Sequence, residues 1–406
     1  MKRIALKEIC EIYDGPHATP TKTEEGPIYL GIDAITEDGL LDDKQFAHLS
    51  VEDLKKWTKR VSPQENDIVF SYEATLGRYA IIPKGFWGCL GRRLAIIRNR
   101  SKEINTKWLY YYFRSPEWTS FIKNQTVKGS TVDRISIEDF PEYTIPLIDR
   151  GEQDKIVSVL DAIDQKIKAN KNVNDYLEEM AKTIYDYWFV QFDFPDANGK
   201  PYKSSGGKLI WNNELNQYIP IGWNAGVLSD IADITMGQSP AGDSYNEESL
   251  GIPFYQGSTD FGTYYPTQRV YTTQPGRLAK TLDTLLSVRA PVGTLNTAYE
   301  DCCIGRGLAA IRHPERNEFI HYLLSSSKWF FDNINNTGTT FGSITKDVLY
   351  QMPVIIPPEG IISLFEKKIQ QYRDFHYSNE RETRELMYLR DWLLPVLMNG
   401  QATIED

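Results

Sequence analysis

At 406 residues, with 41% hydrophobic and 25% charged side chains, the chain has the composition of a globular protein of two or three domains. Its net charge of −10 excludes a protein that coats nucleic acid without selectivity. No run approaches 18 apolar residues and MKRIALKEIC is no signal peptide, so a cytoplasmic protein with no membrane partner is expected.

Residues 1–150 form a first β-rich lobe. Short β-like runs at 27–32, 67–71, 79–82, 94–98 and 143–147 surround one helix-like stretch at 106–124. A rod follows over 151–192. Ile156, Leu160, Ile163, Ile167, Asn170, Asn174, Leu177, Ala181, Ile184 and Trp188 recur at unbroken 4-3 spacing, the period of a coiled-coil seam. From Ile156 to Trp188 it would run roughly 50 Å at about 1.5 Å per residue. A lone helix cannot bury such a seam.

Residues 193–212, with their Gly/Ser/Lys-rich segment, are expected to be a linker that stops the helix. Ile-Pro-Ile-Gly-Trp at 219–223 opens a second β-rich lobe over 213–357. A second rod occupies 358–400, with a tail at 401–406. Its seam reads Phe365, Ile369, Tyr372, His376, Asn379, Thr383, Leu386, Arg390 and Leu393, and Pro395 is expected to end it. If the rods pack antiparallel, Asn170 and Asn174 meet Asn379 and Thr383 in one polar layer that fixes register. Val173, Tyr176, Met180, Leu389 and Leu394, with Tyr187 and Leu397, lie beside the seam and are candidates for partner binding.

The second half repeats the first at an offset of about 210–220 residues. Leu6-Lys7-Glu8-Ile9 answers Leu228-Ser229-Asp230-Ile231, and Asp67 to Ser71 answers Asp283 to Ser287. Gly91-Arg92 answers Gly305-Arg306, and Gly129-Ser130-Thr131 answers Gly338-Thr339-Thr340. The predicted fold class is therefore α+β: two β-rich domains joined by two long antiparallel helices in a coiled coil, with an internal pseudo-two-fold repeat. DNA is the ligand whose own dyad matches that layout, each lobe reading one half-site.

Catalytic and metal sites are not expected. Cys10, Cys89, Cys302 and Cys303 lack CxxC spacing and ligand-spaced His, and read as reduced thiols. Gly305-Arg-Gly307-Leu-Ala-Ala310 fits GxGxxA, but the residues after it read as a strand, whereas a dinucleotide turn opens a helix. Asp67 and Glu73 lack the Lys a nuclease core needs, and the five His make no triad.

Recognition candidates are clearer. Residues 78–134 hold twelve Lys or Arg and three acids, whereas the second lobe nets −5 over 213–357. His17, Thr19 and Lys22 in one loop, and Gln238 and Ser239 in its repeat, offer polar contacts. Lys128, Ser130, Thr131 and Arg134, answered by Thr339, Thr340 and Ser343, offer hydroxyl, backbone and cationic donors to phosphates. Arg78, Arg92, Arg93, Arg289 and Arg306 could fork onto guanine edges or pair with phosphate.

With the repeat, Tyr-Asp-Tyr-Trp-Phe-Val-Gln-Phe-Asp-Phe at 185–194 and the closing Leu-Leu-Pro-Val-Leu-Met-Asn-Gly-Gln at 393–401, the chain resembles a specificity (S) subunit of a type I restriction–modification enzyme. The resemblance covers essentially all 406 residues. Before Leu6 the chain lacks the Pro-x-Gly-Trp opening. The resemblance implies that each lobe is a target recognition domain for half of a bipartite asymmetric DNA sequence, and that the rods are spacers. It implies two methyltransferase (M) subunits gripping the rods and restriction (R) subunits joining through them. S-adenosylmethionine, ATP and Mg belong to those partners, and no cofactor to this chain. The alternative is a coiled-coil scaffold whose lobes bind protein instead of DNA.

Overall fold

A computed structural model describes residues 2–127, 133–337, 342–402 and 404. The chain divides into two compact units, residues 1–170 with 381–406 and residues 171–380. Both divisions fall inside long helices, away from the lobe–rod junctions expected at 150, 192 and 357. One helix spans Arg150–Tyr185 and continues as a π-helical turn over Asp186–Val190; the other spans Glu359–Met398.

Pairing is antiparallel in each unit. In the first unit Arg390 donates to Asp164 at 3.1 Å and Asn170 donates to Glu382 at 2.8 Å. In the second, Asn379 donates to Asn174 at 3.1 Å and the Tyr185 and Phe365 rings meet at 5.8 Å. Ile156, Leu160, Ile163, Ile167, Asn170, Asn174, Ile369, His376, Asn379 and Thr383 are buried as the 4-3 spacing requires. Leu177, Ile184, Tyr372, Leu386 and Leu393 are half-buried.

Several expectations need correction. Asn170 donates to Glu382, which Lys166 also pairs with, where the polar layer called for Asn379 or Thr383; a carboxylate is a stronger acceptor than an amide or hydroxyl. Past Ala181 the buried face steps by four, to Tyr185 and Phe189, so Ile184 and Trp188 lie beside it. Pro395 sits inside the helix, whose last turn closes when Asn399 N donates to Pro395 O at 3.0 Å. A proline so near the end removes one backbone bond without stopping the helix. Leu394 and Leu397, both expected to face a partner, are buried with Met398 in the core of the first unit.

The first unit carries a four-stranded antiparallel sheet in the order Cys10–Asp14, Leu94–Asn99, Ile68–Ser71, Tyr79–Ile81. Beside it Thr23–Leu30 pairs in parallel with Gly88–Leu90, and Arg3–Ala5 pairs with Thr144–Pro146. The second unit repeats this topology. Its four-stranded sheet runs Asp233–Met236, Leu308–Arg312, Thr284–Ser287, Leu295–Thr297. Ile252–Tyr255 pairs in parallel with Cys302–Ile304, and Asn224–Val227 pairs with Pro353–Ile356. Leu308–Arg312 being a strand disposes of the dinucleotide-turn reading of Gly305–Ala310.

The single helix expected at 106–124 is two helices, Thr106–Phe113 and Pro116–Gln125. Ser115 caps the second by accepting from Trp118 N at 3.3 Å, and Pro116 suits its first turn. The first of these packs on the long helix of its own unit through Lys107–Asp161 at 2.7 Å. In the second unit the counterpart, Asn317–Ser326, does so through Arg373–Glu318 at 3.4 Å, with the charges exchanged.

The expected linker at 193–212 is folded. Asp193 accepts from Ser204 N and Oγ at 2.7 and 2.6 Å, and Phe194 stacks on Tyr202. Leu209–Asn212 forms a hairpin with Gln217–Pro220, so a boundary at 213 would cut it. Aromatic burial of Phe192, Phe194 and Trp223 outweighs the flexibility that Gly and Ser confer.

Candidate nucleic-acid interface

An antiparallel sheet brings the end of one strand beside the start of the next, so its connecting loops collect at its two ends. In the first unit Asp14, Leu94, Ser71 and Tyr79 lie at the same end, with registers Asp14 to Ala95, Ser71 to Leu94 and Phe70 to Tyr79. The described recognition candidates of that lobe lie in the loops at this end. His17, Thr19 and Lys22 follow Asp14 and are exposed; Arg92 precedes Leu94 and is exposed. Arg134, also exposed, is tied through its backbone to Val127 and Glu73.

The second unit builds the same end, hydrogen bond for hydrogen bond. Gly15 N donates to Leu94 O at 3.0 Å, and Gly237 N to Leu308 O at 2.9 Å. Tyr72 N donates to Arg93 O at 3.1 Å and Val288 N to Gly307 O at 2.9 Å. Ile135 N donates to Tyr72 O at 2.8 Å and Ile344 N to Val288 O at 2.9 Å. Ser71 and Ser287 each close their loop through the hydroxyl. Each donates to a carbonyl four residues on, and accepts from Arg78 N at 3.1 Å and Thr294 N at 3.0 Å respectively.

Glycine is required where these loops begin. A Cβ at Gly15 would lie 2.4 Å from Leu94 O, and one at Gly237 2.1 Å from Gly305 O.

In the second unit this end exposes Gln238, Arg289, Arg306 and Ser343, with Ser239 half-buried. Arg289 and Ser343 pair through their backbones as Glu73 and Arg134 do. Two candidates of the first unit are committed inside the lobe instead. Arg78 donates to Ile35 O at 3.0 Å and lies 3.6 Å from Glu37; Arg93, at φ +72, pairs with Glu73 at 3.0 Å. Both are half-buried and hold neighbouring loops together. Lys128, Ser130, Thr131, Thr339 and Thr340 lie outside the described residues.

Reading the sequence missed Arg60, which donates to Gly15 O at 3.4 Å, and Gln256, which accepts from Ser239 Oγ at 2.8 Å. Gln256 had a signal. Gly91 N donates to Leu30 O and Gly305 N to Tyr255 O, so the residue after each parallel strand reaches the site. Arg60 had none, since the repeat diverges there.

The acidic residues that a nuclease would use are structural. Asp67 is buried and receives two bonds from Arg98, Nε to Oδ1 at 2.8 Å and Nη2 to Oδ2 at 2.7 Å. That paired carboxylate holds the Arg98 guanidinium above its ordinary pKa. In the second unit Arg312 lies 3.4 Å from Asp283. Burial there outweighs the backbone hydrogen bond and the weaker ion pair, and pushes the Asp283 carboxyl up to about 6. All four cysteines are free and buried, and burial pushes the Cys10 and Cys89 thiols up to about 12. No group of His, Cys, Asp and Glu among the described residues could hold a metal ion, and no helix among them is long and apolar enough to cross a membrane.

Comparison with known proteins assigns this architecture. The family model described as type I restriction modification DNA specificity domain matches residues 1–179 and 220–374. The MjaIX specificity subunit of a type I restriction enzyme from Methanocaldococcus jannaschii is 24% identical, covering 87% of this chain and 81% of the relative. The HindI specificity subunit of Haemophilus influenzae is 21% identical over 92% of this chain and 95% of its own. The crystal structure of a type I restriction–modification S subunit from M. genitalium aligns with a TM-score of 0.57 at 16% identity, covering 98% of this chain and 95% of that one, a likeness of fold. With the family match falling on both β-rich regions and most of the chain, the protein belongs to the type I restriction–modification DNA specificity family.

Proposed function

We propose that this chain is the sequence-reading, non-catalytic subunit of a type I restriction–modification enzyme. Each β-rich domain presents the loop end of its four-stranded sheet to one half of a bipartite asymmetric target. The long helices set the spacer and dock two methyltransferase subunits, and restriction subunits join that assembly in the cytoplasm. S-adenosylmethionine, ATP and Mg serve the partners' chemistry.

The observation that carries this reading is the duplicated loop cluster. The backbone bonds that shape it recur in both units, and so does one exposed arginine, Arg92 or Arg306, while the other exposed side chains differ: His17, Lys22 and Arg134 in one, Gln238, Arg289 and Ser343 in the other. Equal scaffolds with unequal contacts suit two different half-sites, whereas a scaffold for one protein partner needs no such divergence. The test is duplex binding by the chain reconstituted with its methyltransferase subunits. Selective binding, lost when either half-site is scrambled, supports the reading. Equal affinity for every duplex overturns it.

A further inference from the structure

Beside the recognition loop of the first unit lies a cleft of about 420 Å³. His17 and Pro16 form one wall, and Lys56, Trp57, Lys59 and Arg60 the other. The second wall is the last turn of a short helix, carrying Lys56 and Trp57, and the bend after it, carrying Lys59 and Arg60. Ser50 caps Val51–Trp57 by accepting from Asp53 N at 3.1 Å, acids occupy its first turn and Lys55 and Lys56 its last. Leu54 and Trp57 pack on Tyr29, Leu49 and Cys89, which fixes the side facing the cleft. Lys56 Nζ stands 5.7 Å over the Trp57 ring, and Lys59 and Arg60 are exposed.

Asp14 is the one carboxylate among the described residues lining the cleft, and it faces both His17 at 2.8 Å and Arg60 at 3.6 Å. Three Lys and Arg against one acid leave the cleft cationic. None of these cations belongs to the basic stretch 78–134, much of which is paired inside the lobe, so they add exposed positive charge beside the 15–22 loop. The second unit has no helix in the matching segment among the described residues; it carries Tyr271–Thr272 and Leu278–Ala279 instead. Of the three cations there, Arg269 pairs with Asp260 and Lys280 with Asp301, and Arg277 is exposed.

We propose that this cleft is a phosphate anchor, in which Lys56 and Lys59 meet the DNA backbone of the half-site read by the first unit while Arg60 positions the 15–22 loop. The inference rests on the DNA-reading function proposed above. The two half-sites are then held unequally, the first with a larger electrostatic share.

The test is the double variant Lys56→Gln with Lys59→Gln, assembled with its methyltransferase subunits and titrated with target duplex over a range of salt. Two lost phosphate contacts lower the slope of log K against log salt by about 2, so raising salt from about 50 to 200 mM weakens the variant roughly tenfold less than the parent. Preference among bases is unchanged, and Lys56→Arg with Lys59→Arg keeps the parent slope. A variant that binds with the parent's slope overturns the anchor, as does a loss confined to particular bases. A parent complex that does not select sequence removes the DNA-reading function itself, and the anchor falls with it.

Discussion

Asn379 donates from Nδ2 to Asn174 Oδ1 at 3.1 Å, and Asn174 donates in turn to the His376 carbonyl at 3.3 Å, all within the buried seam of the second unit. Each amide bonds to the opposite helix. Removing one leaves the other buried with an unmade bond, so Asn379→Leu is expected to cost about 1–3 kcal/mol. Replacing both by Leu removes the polar pair whole and is expected to recover that loss or exceed it, at the expense of register. A double-mutant cycle in urea measures the coupling. Additive single and double losses would mean the pair contributes nothing.

The second unit also carries a titration that opposes its folding at neutral pH. Glu366 accepts the Phe319 N–H at 2.7 Å, yet desolvation pushes its carboxyl from 4.5 up to about 7. A raised folded pKa gives stability that is fully present below 4.5 and lost as pH rises through about 7. Glu366→Gln keeps an oxygen for Phe319 and abolishes this slope. It is therefore expected to stabilise by on the order of 1 kcal/mol at about pH 8 and to change little at about pH 4. His376, held down at about 4 by desolvation, adds a slope of opposite sign that is common to both proteins and cancels in the difference. Melting of the pair across this range decides it.

How legible this was depends on the kind of interaction. The rods were readable because ten seam positions in one helix report a single period, and burial of Ile156 through Asn174 follows it. The end of the first rod was less so, since Tyr185 and Phe189 turn toward a lobe core that no local period encodes. Repeat matches located both loop clusters because their glycines and serines serve the backbone. The side chains spent inside the lobe were not legible. Arg78 and Arg93 look like Arg92 in the sequence, and only tertiary contacts with Ile35, Glu37 and Glu73 separate them.

Exposed apolar residues separate docking from folding. Tyr388 and Trp392 on the second long helix are 76% and 57% exposed, whereas Leu394, two residues beyond Trp392, is 7% exposed in the core. Replacing Tyr388 and Trp392 by Ala is expected to leave the melting temperature unchanged while weakening methyltransferase association at least about tenfold, as loss of aromatic anchors does. Leu394→Ala is expected to lower stability by about 2–5 kcal/mol through a core cavity. Calorimetric melting and binding titration on the same variants check both. Equal effects of the two changes on stability would place Tyr388 and Trp392 in the fold instead of at a docking face.

Arg92 and Arg306 occupy equivalent turns, each just before the second strand of its sheet, and both are exposed. If each contacts bases, Arg306→Ala relaxes selectivity at positions of one half-site by about 1–3 kcal/mol, and Arg92→Ala does the same in the other half-site only. If a guanidinium meets phosphate instead, its loss weakens binding evenly across sequences and lowers the salt slope by about 0.9. Selection from a duplex library randomised in one half-site at a time distinguishes these outcomes for each arginine. Either outcome confined to one half-site per arginine fits one reading domain per unit. Relaxation of both half-sites by a single substitution would contradict it, because one turn would then be reading both half-sites.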